Sequence, residues 1–301
     1  MNSDENGQKP GLLMTANWDS NVGYAWWLME SYWVVLAETY NSSMVPILAY
    51  PSISVLPAAI KASPILPVEQ DFSRLRVSTI VAQLRFIVGH RVKVMYLSDK
   101  PVKHWAYILF RMAGVRTIVV HDHTPGLRTR PKGLKRAIKR LMNRIPLYGA
   151  DICIGATNFV RQRLIDVACV PPRKCFSVPN GIPLHIEPPQ SIHDAYNIPK
   201  ARQVIVTAAR ANHYKGAAFA LEALAKVKTE YGMENWHYVY MGDGPHREEF
   251  IQRAAQLGIG DYVSFPGRVE KVTAKFQTAS VALHPSHGEV GYSLSILEYM
   301  L

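Results

Sequence analysis

Apolar runs of strand length alternate with segments of helical periodicity along the first half of the chain. The runs predict strands and the periodic segments predict helices. The predicted strands cover residues 11–17, 45–50, 92–97, 117–121 and 151–154, and the predicted helices cover residues 24–40, 75–88, 105–112 and 158–167. Residues 51–67 are rich in Pro and Ser and predict a loop. This alternation indicates βαβ units and a parallel sheet.

A second alternating series begins near residue 201. Its predicted strands cover residues 204–207, 236–241, 262–265 and 280–283, and its predicted helices cover residues 216–228, 247–257, 270–278 and 292–301. Residues 179–200, between the two series, contain five prolines and predict a hinge between an N-terminal domain, 1–178, and a C-terminal domain, 201–301. The predicted last helix still continues at residue 301 without a cap, so we expect the second domain to be truncated.

The composition of the chain indicates the cellular compartment in which the protein works. The chain has 301 residues, and 48% of them are hydrophobic, which is ordinary for a globular protein. Its three cysteines show neither a disulfide framework nor metal-ligand spacing, and no signal peptide is visible. We therefore expect a cytoplasmic protein.

The net charge of +11 is concentrated in one segment. Eight of the seventeen residues 128–144 are Lys or Arg, and none is acidic. On a helix, Lys135, Arg136, Lys139 and Arg140 fall on one side, and Leu134, Ile138, Leu141 and Ile145 fall on the other. This pattern is typical of a helix that lies on anionic lipid or contacts an anionic acceptor, at the inner face of the cytoplasmic membrane. The alternative is a core-facing helix with a solvated basic side. A nucleic-acid surface is disfavoured because interleaved aromatic residues are missing.

Four short motifs lie where strands end or helices begin in the second series. They are Arg210 with Lys215-Gly216, the turn Gly242-Asp243-Gly244-Pro245, Pro285-Ser286, and Glu289 followed by Glu298. Open α/β sheets bind ligands at the carboxyl ends of their strands. Two cations, a glycine turn and two carboxylates fit a nucleotide-diphosphate sugar, because the cations suit the diphosphate and the carboxylates suit hydroxyl groups.

These motifs carry a resemblance to a known family. From residue 150 onward, the blocks ADICIGATNFVRQRL, VPNGIPL, VTAARANHYKG, MGDGPHREEF, VSFPGRV and HPSHGEVGYSLSILEYM follow one another as in the retaining glycosyltransferases of family 4, also called group 1. The resemblance implies the GT-B fold, an α/β architecture of two Rossmann-like domains whose parallel sheets face a cleft. It also implies sugar transfer from a nucleotide-diphosphate donor to a hydroxyl acceptor, with retention at the anomeric carbon.

The resemblance assigns the donor site to the C-terminal domain. It places Arg210 and Lys215, as catalytic cations, on the diphosphate, whose negative charge grows as the glycosidic bond breaks. The other donor-binding candidates are Gly242, Asp243, Gly244, Ser286, Glu289 and Glu298. Glu298 matches the glutamate that grips the ribose, but eight residues separate Glu289 from Glu298 where the family signature has seven. For Asp243 we favour a structural role, a cap for the following helix.

The N-terminal domain is expected to hold the acceptor. Gly23 ends the loop after the first strand and matches a family position close to the donor phosphate. His121 and His123 follow a predicted strand and are candidate catalytic residues for the donor sugar or the acceptor, with Asp99 as a third candidate. The alternative is a histidine whose hydrogen bonds are satisfied by the backbone of a turn.

The functional prediction is therefore a retaining glycosyltransferase acting on a lipid-linked or cell-surface polysaccharide precursor. No cofactor and no metal ion are expected, because the cation pair serves the diphosphate and no zinc-type histidine pair is visible. Three alternatives stay open: a sugar-nucleotide epimerase of the same architecture, a basic adaptor protein without enzymatic activity, and a catalytically inactive truncated fragment.

Overall fold

The computed structural model describes residues 9–22, 26–124, 126–184, 187–287 and 293–301. The chain divides into two compact units, Met1–Asn180 and Gly181–Leu301. Part of the segment predicted as a hinge is attached to the second unit. The backbone N–H of Gln190 donates to the carbonyl of Ala274, and Ile192 is fully buried.

The first unit is built on a seven-stranded parallel sheet. Its strands are β1 Gly11–Thr15, β2 Val45–Tyr50, β3 Leu66–Glu69, β4 Val92–Ser98, β5 Thr117–Asp122, β6 Ile152–Gly155 and β7 Cys175–Ser177. Its helices are α1 Trp27–Tyr40, α2 Ala58–Lys61, α3 Val77–Gly89, α4 Ala106–Met112, α5 Gly133–Met142 and α6 Asn158–Asp166. The order in the sheet is β3-β2-β1-β4-β5-β6-β7, so the chain reverses its direction of winding between β1 and β4.

The central strands are apolar on both faces because helices cover both sides of the sheet. All five residues of β1 are buried, and successive side chains point to opposite faces. Leu13 joins one core cluster, while Met14 joins a second cluster that contains the fully buried Trp33 of α1.

The second unit contains a four-stranded parallel sheet with the order β10-β9-β8-β11. Its strands are β8 Gln203–Ala208, β9 Trp236–Met241, β10 Val263–Gly267 and β11 Val281–Ala282. Its helices are α7 Ile192–Ala195, α8 Ala217–Tyr231, α9 Arg247–Gln256, α10 Val272–Phe276 and α11 Leu294–Tyr299. α8 buries an apolar stripe with helical spacing, formed by Ala217, Ala220, Leu221, Leu224 and Ala225.

The predicted α/β architecture with two parallel sheets is confirmed. One local prediction was wrong, because residues 51–67, expected to be loop, contain α2 and the start of β3. β3 is an edge strand, where Pro67 is tolerated because one side of the strand needs no ladder hydrogen bond. None of the helices in the described residues combines the length and the apolar character that a membrane span requires.

Candidate functional site

The strand order creates a topological switch point in the second unit. β8 has β9 on one side and β11 on the other, because the chain winds from β8 through β9 to β10 on one side and then crosses to β11 on the opposite side. Such a point is where open α/β sheets bind their ligands. β8 ends at Ala208, two residues before Arg210, and β11 ends at Ala282, four residues before Ser286.

Residues 209–216, called here the cation loop, connect β8 to α8. Arg210 is exposed and Lys215 is half-buried. The Tyr240 hydroxyl donates to the backbone carbonyl of Arg210 at 3.1 Å, and the Lys215 ammonium lies 5.2 Å from the centroid of the Tyr214 ring. The loop ends in a 3₁₀ turn, His213–Lys215. The structure thus places both predicted cations on one short loop at the switch point.

Gly216 fixes the cation loop against the segment that follows β11. Its φ of 76° lies in the left-handed region, and an added Cβ would be 2.1 Å from the carbonyl oxygen of Pro285. The Tyr214 carbonyl accepts hydrogen bonds from the Ser286 hydroxyl at 3.2 Å and from the His287 N–H at 3.1 Å. Ser286, a predicted donor-site residue, is therefore held next to Lys215.

The predicted glycine turn packs against the other side of the cation loop. A Cβ on Gly242 would lie 1.8 Å from the carbonyl oxygen of Ala209, and one on Gly244 would lie 2.5 Å from that of Ala211. The two glycines are therefore required for contact between loops, whatever they do for a ligand. The predicted capping role of Asp243 was wrong, because the N-cap of α9 is His246. The Asp243 carboxylate instead accepts from the N–H of Gly244 at 2.8 Å.

Helix α11 is tied to the carboxyl end of β8. The Ser295 hydroxyl donates to the Ala208 carbonyl at 2.7 Å, and the Ala208 N–H donates to the Tyr299 hydroxyl, also at 2.7 Å. These bonds bring Glu298, one residue before Tyr299, to the same end of the sheet. Burial raises the pKa of the Glu298 carboxyl above its ordinary value. Glu289 lies outside the described residues.

The first unit has its own switch point, between β1 and β4. Asn17, just after β1, donates to the Ser98 carbonyl at 2.8 Å, and its side-chain oxygen accepts from the Lys100 ammonium at 2.5 Å. Burial lowers the pKa of Lys100 to about 8. No sequence motif indicated Lys100. Gly23, the predicted donor-site residue of this unit, lies outside the described residues.

Next to this switch point, the structure brings together His121, His123, Asp99, Tyr96 and Tyr32, called here the histidine cluster. The centroids of the two imidazole rings are 3.9 Å apart, and the centroid of the Tyr32 ring lies 5.1 Å from that of His121 and 5.8 Å from that of His123. Nδ1 of His121 lies 2.5 Å from the Tyr96 hydroxyl, and the backbone N–H of His123 donates to Asp99 Oδ1 at 2.6 Å. The three acceptor-side candidates are therefore neighbours.

Burial controls the charge of this cluster. Burial, and secondarily the neighbouring His123, lowers the pKa of His121 to about 2, and burial lowers that of His123 to about 4. Burial raises the pKa of Asp99 to about 6. Both imidazoles are thus neutral at neutral pH. Among the described residues, Nε2 of each ring is buried without a hydrogen-bond partner, so each could bond a ligand hydroxyl group.

A buried ion pair anchors the segment that carries the two histidines. Arg163 of α6 lies 3.1 Å from Asp122, and the two side chains are 4% and 10% exposed. The same guanidinium donates to the carbonyls of Thr124 and Gly126, each at 2.7 Å. Arg163, Tyr96 and Tyr32 were not predicted, because nothing in their local sequence distinguishes them from residues of an ordinary helix or strand.

The predicted basic helix forms as α5, and its apolar side is exposed. No residue of α5 is buried, so the core-facing alternative was wrong. Leu134, Leu141 and Ile138 are 77%, 64% and 48% exposed. Of the basic side chains, Lys135 and Arg140 are exposed and Arg136 and Lys139 are half-buried, and the Lys139 ammonium donates to the carbonyl of Val167 at 2.9 Å. Ile145 lies beyond the end of the helix and is also exposed.

Comparison with known proteins gives a family for the second unit. The model of the family described as "Glycosyl transferases group 1" matches residues 202–301, which contain the cation loop, the glycine turn, Ser286 and Glu298. Among curated proteins, none matches the chain.

Solved structures match nearly the whole chain at low sequence identity. A glycosyltransferase from Rickettsia africae is 16% identical, with a TM-score of 0.71, over 97% of this chain and 76% of that one. Anabaena HepE, in complex with UDP and glucose, is 15% identical, with a TM-score of 0.69, over 97% and 78%. WaaG, a glycosyltransferase involved in lipopolysaccharide biosynthesis, is 16% identical, with a TM-score of 0.63, over 96% and 78%.

At these sequence identities, similarity to solved structures establishes the fold alone. The family model adds a match for part of the second unit. The chain has the GT-B fold that its sequence blocks predict, and residues 202–301 of its second unit match the model of the glycosyl transferases group 1 family.

Proposed function

We propose that this chain is a retaining glycosyltransferase that moves a sugar from a nucleotide-diphosphate donor to a hydroxyl acceptor. The observation that carries the proposal is the cation loop. Arg210 and Lys215 lie on one loop at the switch point of a group 1 glycosyl transferase domain. Fixed positive charge at such a point suits a diphosphate leaving group, which becomes more negative in the transition state.

The contacts around the loop support a preorganised diphosphate site. The guanidinium of Arg210 offers a planar fork and Lys215 offers a point charge, so together they suit two linked phosphates. The backbone of the loop is held by the carbonyl contacts to Gly216, Gly242 and Gly244 described above. Charges that are fixed before the reaction cost little reorganisation as it proceeds.

We assign the rest of the donor to neighbouring groups of the second unit. Glu298 suits the ribose hydroxyls, because a half-buried carboxyl accepts hydrogen bonds in a site with little competing water. HepE was crystallised with UDP and glucose, so UDP is the first nucleotide to test. For Gly23 and Glu289, a role in donor binding is supported by the family resemblance alone.

The proposed reaction needs no nucleophile from the protein. The bond from the anomeric carbon to the phosphate oxygen breaks, and the acceptor oxygen bonds to the same face of that carbon. The acceptor proton goes to an oxygen of the leaving phosphate, which yields a nucleoside diphosphate and a glycoside. We assign acceptor binding to the first unit, where the neutral imidazoles of His121 and His123 suit hydrogen bonds to hydroxyl groups. We also propose that no metal ion takes part in the bond breaking and bond making of this transfer.

For the acceptor we propose a lipid-linked or polysaccharide precursor at an anionic membrane surface. The support is α5, whose exposed leucines lie next to exposed Lys135 and Arg140. Apolar side chains that enter the headgroup region beside basic side chains are the usual means by which a peripheral helix binds anionic lipid. The corresponding location is the inner face of the cytoplasmic membrane.

Ligand-dependent stability tests the donor site. UDP, GDP, ADP and their sugar conjugates are titrated while the thermal unfolding midpoint is followed. A ligand that binds only the folded state adds about 2.7 kcal/mol at a hundred times its Kd. One nucleotide is expected to raise the midpoint. If no nucleotide raises it, the donor proposal is wrong.

The product distinguishes transfer from the remaining enzymatic alternative. A transferase releases the nucleoside diphosphate only in the presence of an acceptor and keeps the anomeric configuration of the sugar. An epimerase changes the sugar without an acceptor. Chromatography of the nucleotide products, with and without a lipid-linked acceptor, separates the two reactions. The family match to residues 202–301 favours transfer.

Replacing Lys215 tests the assignment of the diphosphate cation. Lys215→Ala removes a charge that is worth more in the transition state than in the ground state, so kcat should fall by at least about 100-fold. Lys226→Ala, at an exposed position of α8, is the matched control and should keep full activity. Circular dichroism checks that both variants fold. Unchanged turnover in folded Lys215→Ala would refute the assignment.

A further inference from the structure

A trio of potential metal ligands lies beside the cation loop. It consists of His213 from the 3₁₀ turn, His246 at the N-cap of α9, and Glu249 in the first turn of α9. One ligand atom from each residue lies within 4.8 Å of the other two. In a tetrahedral zinc site with bonds of 2.0–2.1 Å, ligand atoms are about 3.3 Å apart. His213 Nε2 is 3.3 Å from Glu249 Oε2, which already meets that spacing.

The surroundings hold the trio in place before any ion binds. The N–H of Ala211 donates to the Asp243 carbonyl at 2.9 Å, and the N–H of His246 donates to the Ala211 carbonyl at 3.2 Å. These bonds join the cation loop to the segment before α9. The imidazole centroids of His213 and His246 are 3.8 Å apart, and both rings rest on the buried Phe250. Small rotations of the side chains would complete the geometry.

The chemistry of the trio selects the class of ion. Two neutral imidazoles and one carboxylate are a common ligand set for Zn²⁺ and bring one negative charge to a divalent cation. Among the described residues, Nδ1 of His246 is buried without a hydrogen-bond partner, so protein contacts do not satisfy this nitrogen. His213 and Glu249 are 55% and 58% exposed, which leaves a route for the ion and room for a water ligand.

We propose that His213, His246 and Glu249 bind Zn²⁺, or a similar borderline divalent cation, and that the ion clamps the cation loop to the start of α9. The ion is structural in this proposal and takes no part in bond breaking. Bound metal would reduce the freedom of residues 210–216, which carry both proposed diphosphate cations. The proposal concerns binding by the protein alone, so it stands or falls independently of the glycosyltransferase proposal.

Direct metal binding tests the site. Untagged protein, freed of metal with a chelator, is titrated with Zn²⁺ in competition with a chromophoric chelator, and with Co²⁺ while visible absorption is recorded. We expect one Zn²⁺ per chain, the intense visible bands of low-coordinate Co²⁺, and no comparable binding of Mg²⁺, which prefers oxygen ligands in octahedral geometry.

Variants locate the ion. His213→Ala and Glu249→Gln should each weaken Zn²⁺ binding by at least about 100-fold, since even the residues behind metal ligands contribute 10–100-fold. Both side chains are exposed, so these variants should fold. Glu248→Gln, the exposed neighbour on α9, and His90→Ala, an exposed histidine in the first unit, are matched controls and should bind as the original chain does. If zinc does not bind, or binds equally to His213→Ala and Glu249→Gln, the contact is only a histidine–carboxylate pair and the proposal is wrong.

Discussion

At the scale of single residues, His121 and His123 should make the first unit sensitive to acid. Their pKa values are about 2 and about 4 in the folded state, against about 6.5 in an unfolded chain. Between these limits the unfolded state binds more protons, so the free energy of unfolding should decrease as the pH falls below about 6.5. Each histidine contributes at most about 1.4 kcal/mol per pH unit.

Asp99 acts in the opposite direction, because its folded pKa of about 6 lies above its unfolded value. Its stabilising effect is full below about pH 4 and is lost as the pH rises through 6. The other groups facing the histidines are Asp122, Arg163, Tyr96 and Tyr32. In urea unfolding at a series of pH values, His121→Gln should flatten the acid dependence and Asp99→Asn should steepen it. The same slope in all three proteins would contradict the neutral state of His121.

At the scale of elements, the two glycines that flank α8 allow the energetic cost of left-handed backbone to be measured separately from the cost of steric contact. Gly216 and Gly232 flank the helix with φ of 76° and 66°, but only Gly216 has an atom within 4 Å of its ideal Cβ position. Gly232→Ala should cost about 1 kcal/mol for the left-handed conformation. Gly216→Ala should cost roughly 1–3 kcal/mol more, because Pro285 must move. Chemical denaturation of the two variants measures the difference. Equal losses would mean that the contact between the two loops is absent in solution.

Helix α5 should bind anionic vesicles through both of its side-chain types. Replacing Lys135 and Arg140 by Gln should weaken binding by about 30-fold, since each basic residue near the surface contributes about 1 kcal/mol. Replacing the exposed Leu134 and Leu141 by Ser should weaken it at least as much, because each leucine buries apolar area in the lipid. Vesicle co-sedimentation measures both effects.

Two comparisons make the vesicle result specific. Vesicles of neutral lipid should bind the original chain weakly. Lys226→Ala, far along the sequence in α8, should bind as the original chain does. Retention of full binding after both double replacements would assign any membrane attachment to another surface.

An element can be predicted from sequence when its own residues show that it is buried, and not when its position depends on contacts with distant residues. β1 and β9 are buried along their whole length and β8 is buried at four of its six residues, and all three are mainly apolar in sequence, so they were predicted. β3 was not, because this half-buried edge strand contains Pro67. The orientation of α5 could not be predicted either. Periodicity divides a helix into two sides, but only tertiary contacts, such as that of Lys139 with Val167, decide which side faces the protein.

The candidate sites also differ in how far the sequence predicts them. The second-unit motifs lie within a few residues of strand ends, so the rule for parallel sheets located them. The histidine cluster depends on α1, β4, β5 and α6 meeting, and the metal trio depends on the loop after β8 meeting α9. A single sequence does not show such meetings, because they join residues that are distant in the chain: Tyr96 and His121 are 25 positions apart, and His213 and Glu249 are 36 positions apart.

At the scale of the whole molecule, the unfolding of each unit can be followed separately, through cysteine labelling in the first unit and tryptophan fluorescence in the second. All three cysteines are buried in the first unit, and burial raises the pKa of Cys153 and Cys175 to about 12 and about 11. Their thiols are therefore unreactive until that unit opens. The two proposed diphosphate cations, Arg210 and Lys215, belong to the second unit, which contains Trp236. Saturating nucleotide should raise the unfolding midpoint followed by Trp236 and leave the rate of cysteine labelling unchanged.

Trp236 must be the only tryptophan for this measurement, so the other five are replaced by Phe. Trp33 is fully buried and is the replacement most expected to reduce stability, so nucleotide effects are compared within the replaced protein. Slower cysteine labelling in the presence of nucleotide would show that the nucleotide also stabilises the first unit.

The contact between Gly216 and Pro285 has a consequence for synthesis on the ribosome. About seventy residues separate Gly216 from Pro285, whose carbonyl contacts it. β11, which lies beside β8 on the side opposite β9, is synthesised after β9 and β10. A nascent chain whose β8 has left the ribosome before β11 can reach it lacks one lateral partner of β8 and leaves that strand edge open to wrong pairing. Translational pausing before codon 285 should therefore increase aggregation of this protein more than pausing within its first unit.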